Sequence, residues 1–338
     1  MEYGTIQGID KPVARIVLGT MILTDQPHVR TEECPDLGRE GSLEYLDAVF
    51  ALGCNAFDTA HGYGIPSGAS ERGLGLWMKL RGNRDQVVVI TKGGIRRSPP
   101  AEYRAMPSFI EADIYESLAR LQTSYIDLYL MHYDDDRHPV GPFVEMLDKH
   151  RRLGNIRAYG GSNWSHRRLA EANEYAARHG LAPFVASEPN YCLAVQAVPQ
   201  FGPGCVSISG PANKEAREWY IATQMPVISY SSLGSGFFSG SVTRDDFGKV
   251  RHTMGEDSVR AYCHEDNFQR LERAAALGKE KGATAAQVAL AFIMQSGLNV
   301  FPLTGAQTVK EVEENVRALE IKLTPQERAW LDLESDER

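Results

Sequence analysis

Short, nearly continuous apolar runs recur along the whole chain, each followed by a longer segment of helical periodicity, and few architectures accommodate that alternation. The runs are Arg15–Gly19, Ala56–Thr59, Val87–Thr91, Ile126–His132, Ala158–Gly161, Phe184–Glu188, Val227–Ser231 and Val300–Leu303. They are rich in Val, Ile, Leu and aromatics and lack strict polar–apolar alternation, which suits parallel strands buried on both faces. Helical segments lie between them at Ser42–Gly53, Ser108–Leu121, Ser165–His179, Asn213–Gln224, Thr284–Gln295 and Thr308–Leu319. Ser42 and Gly53 are natural cap residues, and a last helix is opened by Thr324-Pro325, an N-cap followed by a first-turn proline. Eight strands alternating with helices predict an α/β fold, a (β/α)8 TIM barrel and not a doubly wound sheet. The segment Tyr3–Ala14, with its turn signal Asp10-Lys11-Pro12, predicts an N-terminal β-hairpin on the barrel floor. Three stretches, Ile22–Gly41, Cys192–Ala212 and Gly234–Asn267, exceed simple connectors and are expected as long loops on the C-terminal face. No linker divides the chain, so residues 1–338 are expected to form one domain.

Charge limits the partners. Lys and Arg number 36 against 44 Asp and Glu, a net charge of −8. Such a chain lacks the positive field that nucleic acid or an anionic membrane surface requires. No apolar run reaches the ~18–20 residues of a membrane span, and Met1-Glu2-Tyr3-Gly4 has no secretion-signal character. The five cysteines (Cys34, Cys54, Cys192, Cys205, Cys263) are scattered and form no C-x-x-C pair, which fits a reducing compartment. A cytoplasmic protein acting on a small molecule is expected; the sequence is silent on oligomeric state.

The usual nucleotide motifs are missing. No P-loop is present, and Gly234-Ser235-Gly236 is wrongly spaced to Gly240 for a dinucleotide fingerprint. Instead, polar residues stand at predicted strand ends: Asp58 on the second, Lys92 on the third and His132 on the fourth, with Tyr63 five residues beyond Asp58. Barrel enzymes place catalysis on that face. A phenol with pKa ~10 is a weak acid at neutral pH. A nearby ammonium favours the phenolate, a carboxylate fixes the ammonium, and an imidazole can hydrogen-bond a carbonyl oxygen. Asp, Lys, Tyr and His together suit protonation of an alkoxide as it develops during hydride transfer. Among the remaining features, His61 and His138 read as loop residues and Asp134-Asp135-Asp136 as a solvated loop. Trp77 reads as core. Cys192 and Cys205 have no activating neighbour, and the pairs Arg96-Arg97, Arg151-Arg152 and Arg167-Arg168 read as solvated faces.

These residues carry a resemblance to the aldo-keto reductases, over nearly the whole chain. The motifs are Asn55-Ala56-Phe57-Asp58-Thr59-Ala60 with Tyr63-Gly64, then Ser70-Glu71-Arg72-Gly73-Leu74-Gly75 and Val89-Ile90-Thr91-Lys92. Asp127-Leu128-Tyr129-Leu130-Met131-His132, Gly154 to Asn163, Tyr230-Ser231-Ser232-Leu233-Gly234 and Glu313-Glu314-Asn315 continue in order. The resemblance implies Tyr63 as general acid or base, Lys92 lowering its pKa, Asp58 pairing with Lys92, and His132 orienting the carbonyl. It implies Ser162 and Asn163 at the nicotinamide carboxamide and Tyr230 stacked on its ring. Ser231, Leu233 and Ser235 would wrap the pyrophosphate, with Glu314 and Asn315 at the adenine. The implied cofactor is NADP(H), and the substrate an aldehyde, ketone or sugar-like hydroxycarbonyl. Met21, Tyr133 and Trp164 are expected to line the substrate pocket, Trp164 reading equally as a packing residue.

The sequence departs from the family pattern in three places. Glu188 stands where relatives have a glutamine against the carboxamide, and a carboxylate only accepts unless protonated. Gln307 and Glu311 occupy positions where NADP(H)-specific relatives place basic residues, with Lys310 the one cation, so NAD(H) use is open. The chain also ends about two dozen residues after Asn315, so no long tail is expected to fold over the substrate, as in the short-tailed branch of the family. The competing expectation is a dinucleotide-sensing binding module with little turnover, as barrels of this family serve ion channels. A metal-dependent barrel isomerase or hydrolase ranks below both, for no His, Asp and Glu set has ligand spacing.

Overall fold

The computed structural model describes residues 1–27, 37–95, 106–245 and 254–338. Cys34 and the pair Arg96-Arg97 lie outside these described residues. Two short strands, β1 (Tyr3–Gly4) and β2 (Val13–Ala14), pair antiparallel with Tyr3 opposite Ala14, forming the expected hairpin. Eight further strands make a closed barrel: β3 (Val17–Gly19), β4 (Ala56–Asp58), β5 (Val88–Gly93), β6 (Ile126–Met131), β7 (Ile156–Ser162), β8 (Ser187–Glu188), β9 (Val227–Ser229) and β10 (Val300–Thr304). Their order is β10-β3-β4-β5-β6-β7-β8-β9 and the recorded neighbours run parallel, so the fold is the (β/α)8 barrel. By internal contacts the chain groups into two compact units, Met1–Glu188 with Gly305–Val309, and Pro189–Thr304 with Lys310–Arg338.

The first unit carries α1 (Gly38–Ala51), α2 (Ala69–Arg81), α3 (Pro107–Arg120), α4 (Gly141–Arg152) and α5 (His166–His179) between its strands. Its hairpin is anchored by Lys11, whose Nζ donates to Val87 O at 2.6 Å and to Asp127 Oδ1 at 2.7 Å, just before β5 and at the second residue of β6. Those are N-terminal strand ends, so the hairpin sits on the floor. The second unit carries α6 (Lys214–Thr223), α7 (Glu256–Tyr262), α8 (Glu265–Lys281), α9 (Ala285–Met294), α10 (Val309–Arg317, whose first residue belongs to the first unit) and α11 (Pro325–Leu331).

Local capping explains most helix starts. The Ser165 hydroxyl accepts from Arg168 N, and Thr284 with Gln287 and Thr324 with Glu327 form reciprocal capping boxes. Three expectations are corrected. Helix α1 begins at Gly38, and Ser42 lies inside it because its hydroxyl accepts from the distant Thr24 N at 3.1 Å instead of capping. The stretch expected as a loop over Gly234–Asn267 contains α7, too short at seven residues to register a helical period. The strand expected over Phe184–Glu188 shortens to β8, as the Asn173 side chain takes both backbone groups of Phe184.

Candidate active site

Strand alternation decides which side chains face the barrel interior. On β4, Phe57 packs against Trp77 of α2, with ring centroids 5.6 Å apart; Asp58 therefore points the other way, inward. On β5, the Thr91 hydroxyl donates to Glu71 Oε1 on α2 at 2.7 Å. A Cβ on Gly93 would meet the Tyr129 hydroxyl and Asp113 of α3. Residues 91 and 93 thus face the helices, and Lys92 between them faces inward. Tyr129 shares that outer layer, which sends Leu128, Leu130 and His132 inward. The C-terminal strand ends in this way place Asp58, Lys92, His132, Ser162 and Glu188 on one face.

Lys92 is fully buried. Its Nζ donates to Asp58 Oδ1 at 2.5 Å and to the Thr59 carbonyl at 3.0 Å, and lies 3.3 Å from Glu188 Oε1. It also sits 5.1 Å from the centre of the Tyr63 ring. Tyr63 leaves part of its surface open but buries its hydroxyl end beside Lys92. The Tyr63 ring meets the His132 imidazole edge-on at 5.8 Å, and Tyr133 stacks on His132 at 5.2 Å and 10°. The four residues sequence reasoning grouped are therefore neighbours.

The electrostatics differ from expectation at one point. Burial pushes the Tyr63 phenol up to about 12; Lys92 pulls down as anticipated but does not outweigh burial assisted by Asp58 and Glu188. Burial alone would depress Lys92, yet Asp58, Glu188 and Tyr63 hold it above its ordinary value and keep it cationic. His132 is pushed well below its ordinary value by burial and then by Lys92, so it is neutral. Burial raises Asp58, and raises Glu188 well above the ordinary carboxyl range with Asp58 adding to it. Asp58 Oδ2, Glu188 Oε2 and His132 Nδ1 are buried with no hydrogen-bond partner among the described residues. A cluster of unpartnered buried polar atoms around one cation is a candidate ligand site.

The neighbouring β7 end supplies Ser162, whose hydroxyl donates to the Glu188 carbonyl at 3.0 Å, and Asn163, whose Nδ2 donates to the His132 carbonyl at 3.2 Å. Asn163 has φ +56, a strained value for a non-glycine residue. Of the three residues expected in the pocket, Tyr133 is half-buried on His132 and Met21 is exposed. Trp164 is buried between Phe143 and Phe184, with Arg168 over its ring.

The second unit holds the residues expected to wrap the cofactor. Tyr230, buried, has its backbone tied by Asn190, and the loop after it turns left-handed at Ser231 (φ +50), Gly234 (+60), Ser235 (+51) and Gly236 (+92). Successive left-handed residues of this kind are a backbone form that can cradle an anion. Gln200 was not foreseen. It is buried, its Nε2 donates to Ser235 at 2.6 Å and Ser258 at 2.9 Å, and its Oε1 accepts from Ser231 at 3.1 Å. Nothing local marks such a glutamine, since its partners, Tyr262 among them, lie 31 to 62 residues away. Leu233 and Glu314 are half-buried, and Asn315 is buried on α10. Lys310 approaches Glu314 at 3.9 Å. Gln307, in the first unit, is exposed.

Other features also depart from expectation. His61 is a buried residue: its Nε2 lies 2.7 Å from Glu116 Oε2 and 3.6 Å from Asp113, and Arg120 donates to its carbonyl. Asp134 pairs with Arg168, and buried Asp135 is held by Arg137, so the acidic triplet is only partly solvated. No cluster of potential metal ligands occurs among the described residues, and no helix among them is long and apolar enough to cross a membrane. Burial pushes the Cys192 thiol up to about 11.

Comparison with known proteins shows the family. Aldo-keto reductase str7 of Strobilurus tenacellus is 31% identical over 297 residues, covering 85% of this chain and 79% of that protein. Aryl-alcohol dehydrogenase [NADP(+)] of Phanerodontia chrysosporium is 27% identical over 95% of this chain and 82% of its own length. The uncharacterized oxidoreductase YrpG of Bacillus subtilis is 27% identical over 96% and 92% respectively. Residues 15–333 match the Aldo/keto reductase family, and a span that takes in every strand of the barrel makes this chain a member of that family of oxidoreductases.

Proposed function

We propose that the protein transfers a hydride between a nicotinamide cofactor and a small aldehyde, ketone or hydroxycarbonyl, with Tyr63 as the general acid. The observation that carries this is Lys92, wholly buried, held by Asp58 and set against Tyr63. The nicotinamide supplies the hydride when bound. Tyr63 keeps its proton at neutral pH because burial raises its pKa to about 12, and it gives that proton to the substrate oxygen, a far stronger base as the alkoxide forms. Lys92 then stabilises the phenolate. Neutral His132 hydrogen-bonds the same oxygen and orients the carbonyl. In the reverse direction the phenolate of Tyr63 takes the alcohol proton.

Ser162, Asn163 and Glu188 are assigned to the carboxamide end and Tyr230 to the ring face. Ser231, Leu233 and Ser235 are assigned to the phosphates, and Gln307, Glu314 and Asn315 to the adenosine end. The left-handed loop at 231–236 supports a phosphate. Segment 304–311 has Lys310 as its one basic residue and sets Lys310 near Glu314, which favours NAD(H) over NADP(H). Tyr133 on His132 supports a role at the substrate, with Met21 at the rim; Trp164, packed between Phe143 and Phe184, is assigned to the wall behind.

The test follows loss of reduced-nicotinamide absorbance with NADPH and NADH separately, against aldehydes, α-dicarbonyls and sugars. Tyr63→Phe is expected to lower turnover by about 10²–10⁴-fold while still binding dinucleotide. Equal turnover in the two proteins would overturn the assignment. Dinucleotide binding with no turnover in wild type would favour the sensing module.

A further inference from the structure

Lys92 has one positive charge and two buried carboxyl groups directed at it. Asp58 Oδ1 lies at 2.5 Å and Glu188 Oε1 at 3.3 Å from Nζ, and none of the three side chains is more than 3% exposed. Each carboxyl group leaves its second oxygen, Asp58 Oδ2 and Glu188 Oε2, without a hydrogen-bond partner among the described residues. The two carboxyls therefore converge on a single ammonium. Two ionised carboxylates so placed, out of water, repel strongly, and such pairs retain one proton between them.

We propose that Glu188 is a positioning residue that acts through Lys92: it carries the proton shared with Asp58, so that one carboxylate and one ammonium balance and the remaining field of Lys92 falls on Tyr63. The inference rests on Tyr63 serving as the general acid beside the Lys92 ammonium. The charged and titratable groups facing Glu188 are Asp58 on β4, Tyr63 in the connection after it and Lys92 on β5; His132 after β6 meets the same ammonium. From β7 the contacts are the uncharged Ser162 hydroxyl and Asn163 N–H, both on the Glu188 carbonyl oxygen and not on its carboxyl. When Glu188 ionises, Lys92 is shared between two carboxylates and Tyr63 gains a repelling charge, so the phenol becomes a poorer acid. Burial and the nearness of Asp58 both favour the neutral form of Glu188. Glu188 gives no proton to substrate; its charge state sets what Tyr63 can do.

Two measurements test this. Infrared spectra of the wild type at neutral pH should contain a buried protonated-carboxyl stretch that Glu188→Gln lacks. Asp58→Asn, which removes the partner for the shared proton, should lose or displace the same band. Second, the pH profile of kcat/KM for carbonyl reduction should fall on the alkaline side in wild type, by up to about tenfold per pH unit. Glu188→Gln, whatever its absolute rate, should lack that limb until the pH nears the Tyr63 value of about 12. An infrared band that Glu188→Gln leaves intact, or an unchanged alkaline limb in that variant, would overturn the proposal. The infrared arm needs no turnover and reads Asp58→Asn if Glu188→Gln does not fold. Failure of the reductase reading would appear instead as Tyr63→Phe matching wild type.

Discussion

An ammonium group with no water around it is tolerated only with its countercharges in place, and that makes Lys92 the most informative residue to replace. Lys92→Met leaves Asp58 and Glu188 facing each other without a cation. At neutral pH it should cost about 3–5 kcal/mol, the scale for breaking a buried pair, and abolish turnover. Because the carboxylate left without its cation can take up a proton, the loss should shrink as pH is lowered, which urea unfolding at two pH values would check. At the adenosine end, Glu311→Lys should shift the ratio of kcat/KM toward NADPH relative to NADH; an unchanged ratio would place the discriminating charge elsewhere. Asp58, Lys92 and His132 were legible in the sequence because each interrupts an apolar run at its end. The contact between Glu188 and Lys92, 96 positions apart in the chain, was not, since only barrel closure brings the end of β8 back toward β5. His61 escaped for a similar reason: its partners are on α3, and a histidine in a turn has no periodic pattern to betray its burial.

At the level of elements, small residues set how closely helices approach. A Cβ on Gly75 of α2 would lie 2.6 Å from backbone atoms of Arg120 and Leu121 at the end of α3, closer than backbone can yield. Gly75→Ala should therefore destabilise by about 1–3 kcal/mol through overpacking, read as a lower denaturation midpoint with an unchanged slope. Thr324→Ala removes the capping box of α11 and should cost about 1 kcal/mol. Caps of this kind are local, which is why the starts at Ser165, Thr284 and Thr324 were visible in the sequence. Where a cap-like residue has a distant partner, as Ser42 does in Thr24, local pattern misleads. The strand β8 shortened for the same cause, a side chain of α5 replacing ladder bonds.

For the molecule as a whole, buried titrating groups pull stability in opposite directions with pH. His132 has its pKa depressed by burial and Lys92, so its contribution is present above the ordinary histidine value and is lost as pH falls through its folded value. Glu188 and Asp58 are raised, chiefly by burial; theirs is complete below the ordinary carboxyl range and is lost as pH rises through the folded value. The melting temperature should consequently decline on both sides of an intermediate optimum. The acid decline should flatten in His132→Phe and the alkaline one in Glu188→Gln. The eightfold barrel itself was evident from the alternation of runs, whereas this pattern of charge burial depends on register and had to be seen. Lys310 is more than four-fifths exposed and Lys92 has no exposed surface. An acylating reagent added in a brief pulse would thus modify Lys310 at once, whereas Lys92 would react only in molecules whose barrel has momentarily opened. That one amine, followed by mass spectrometry over time, is a built-in clock for the breathing of the active-site end of the barrel.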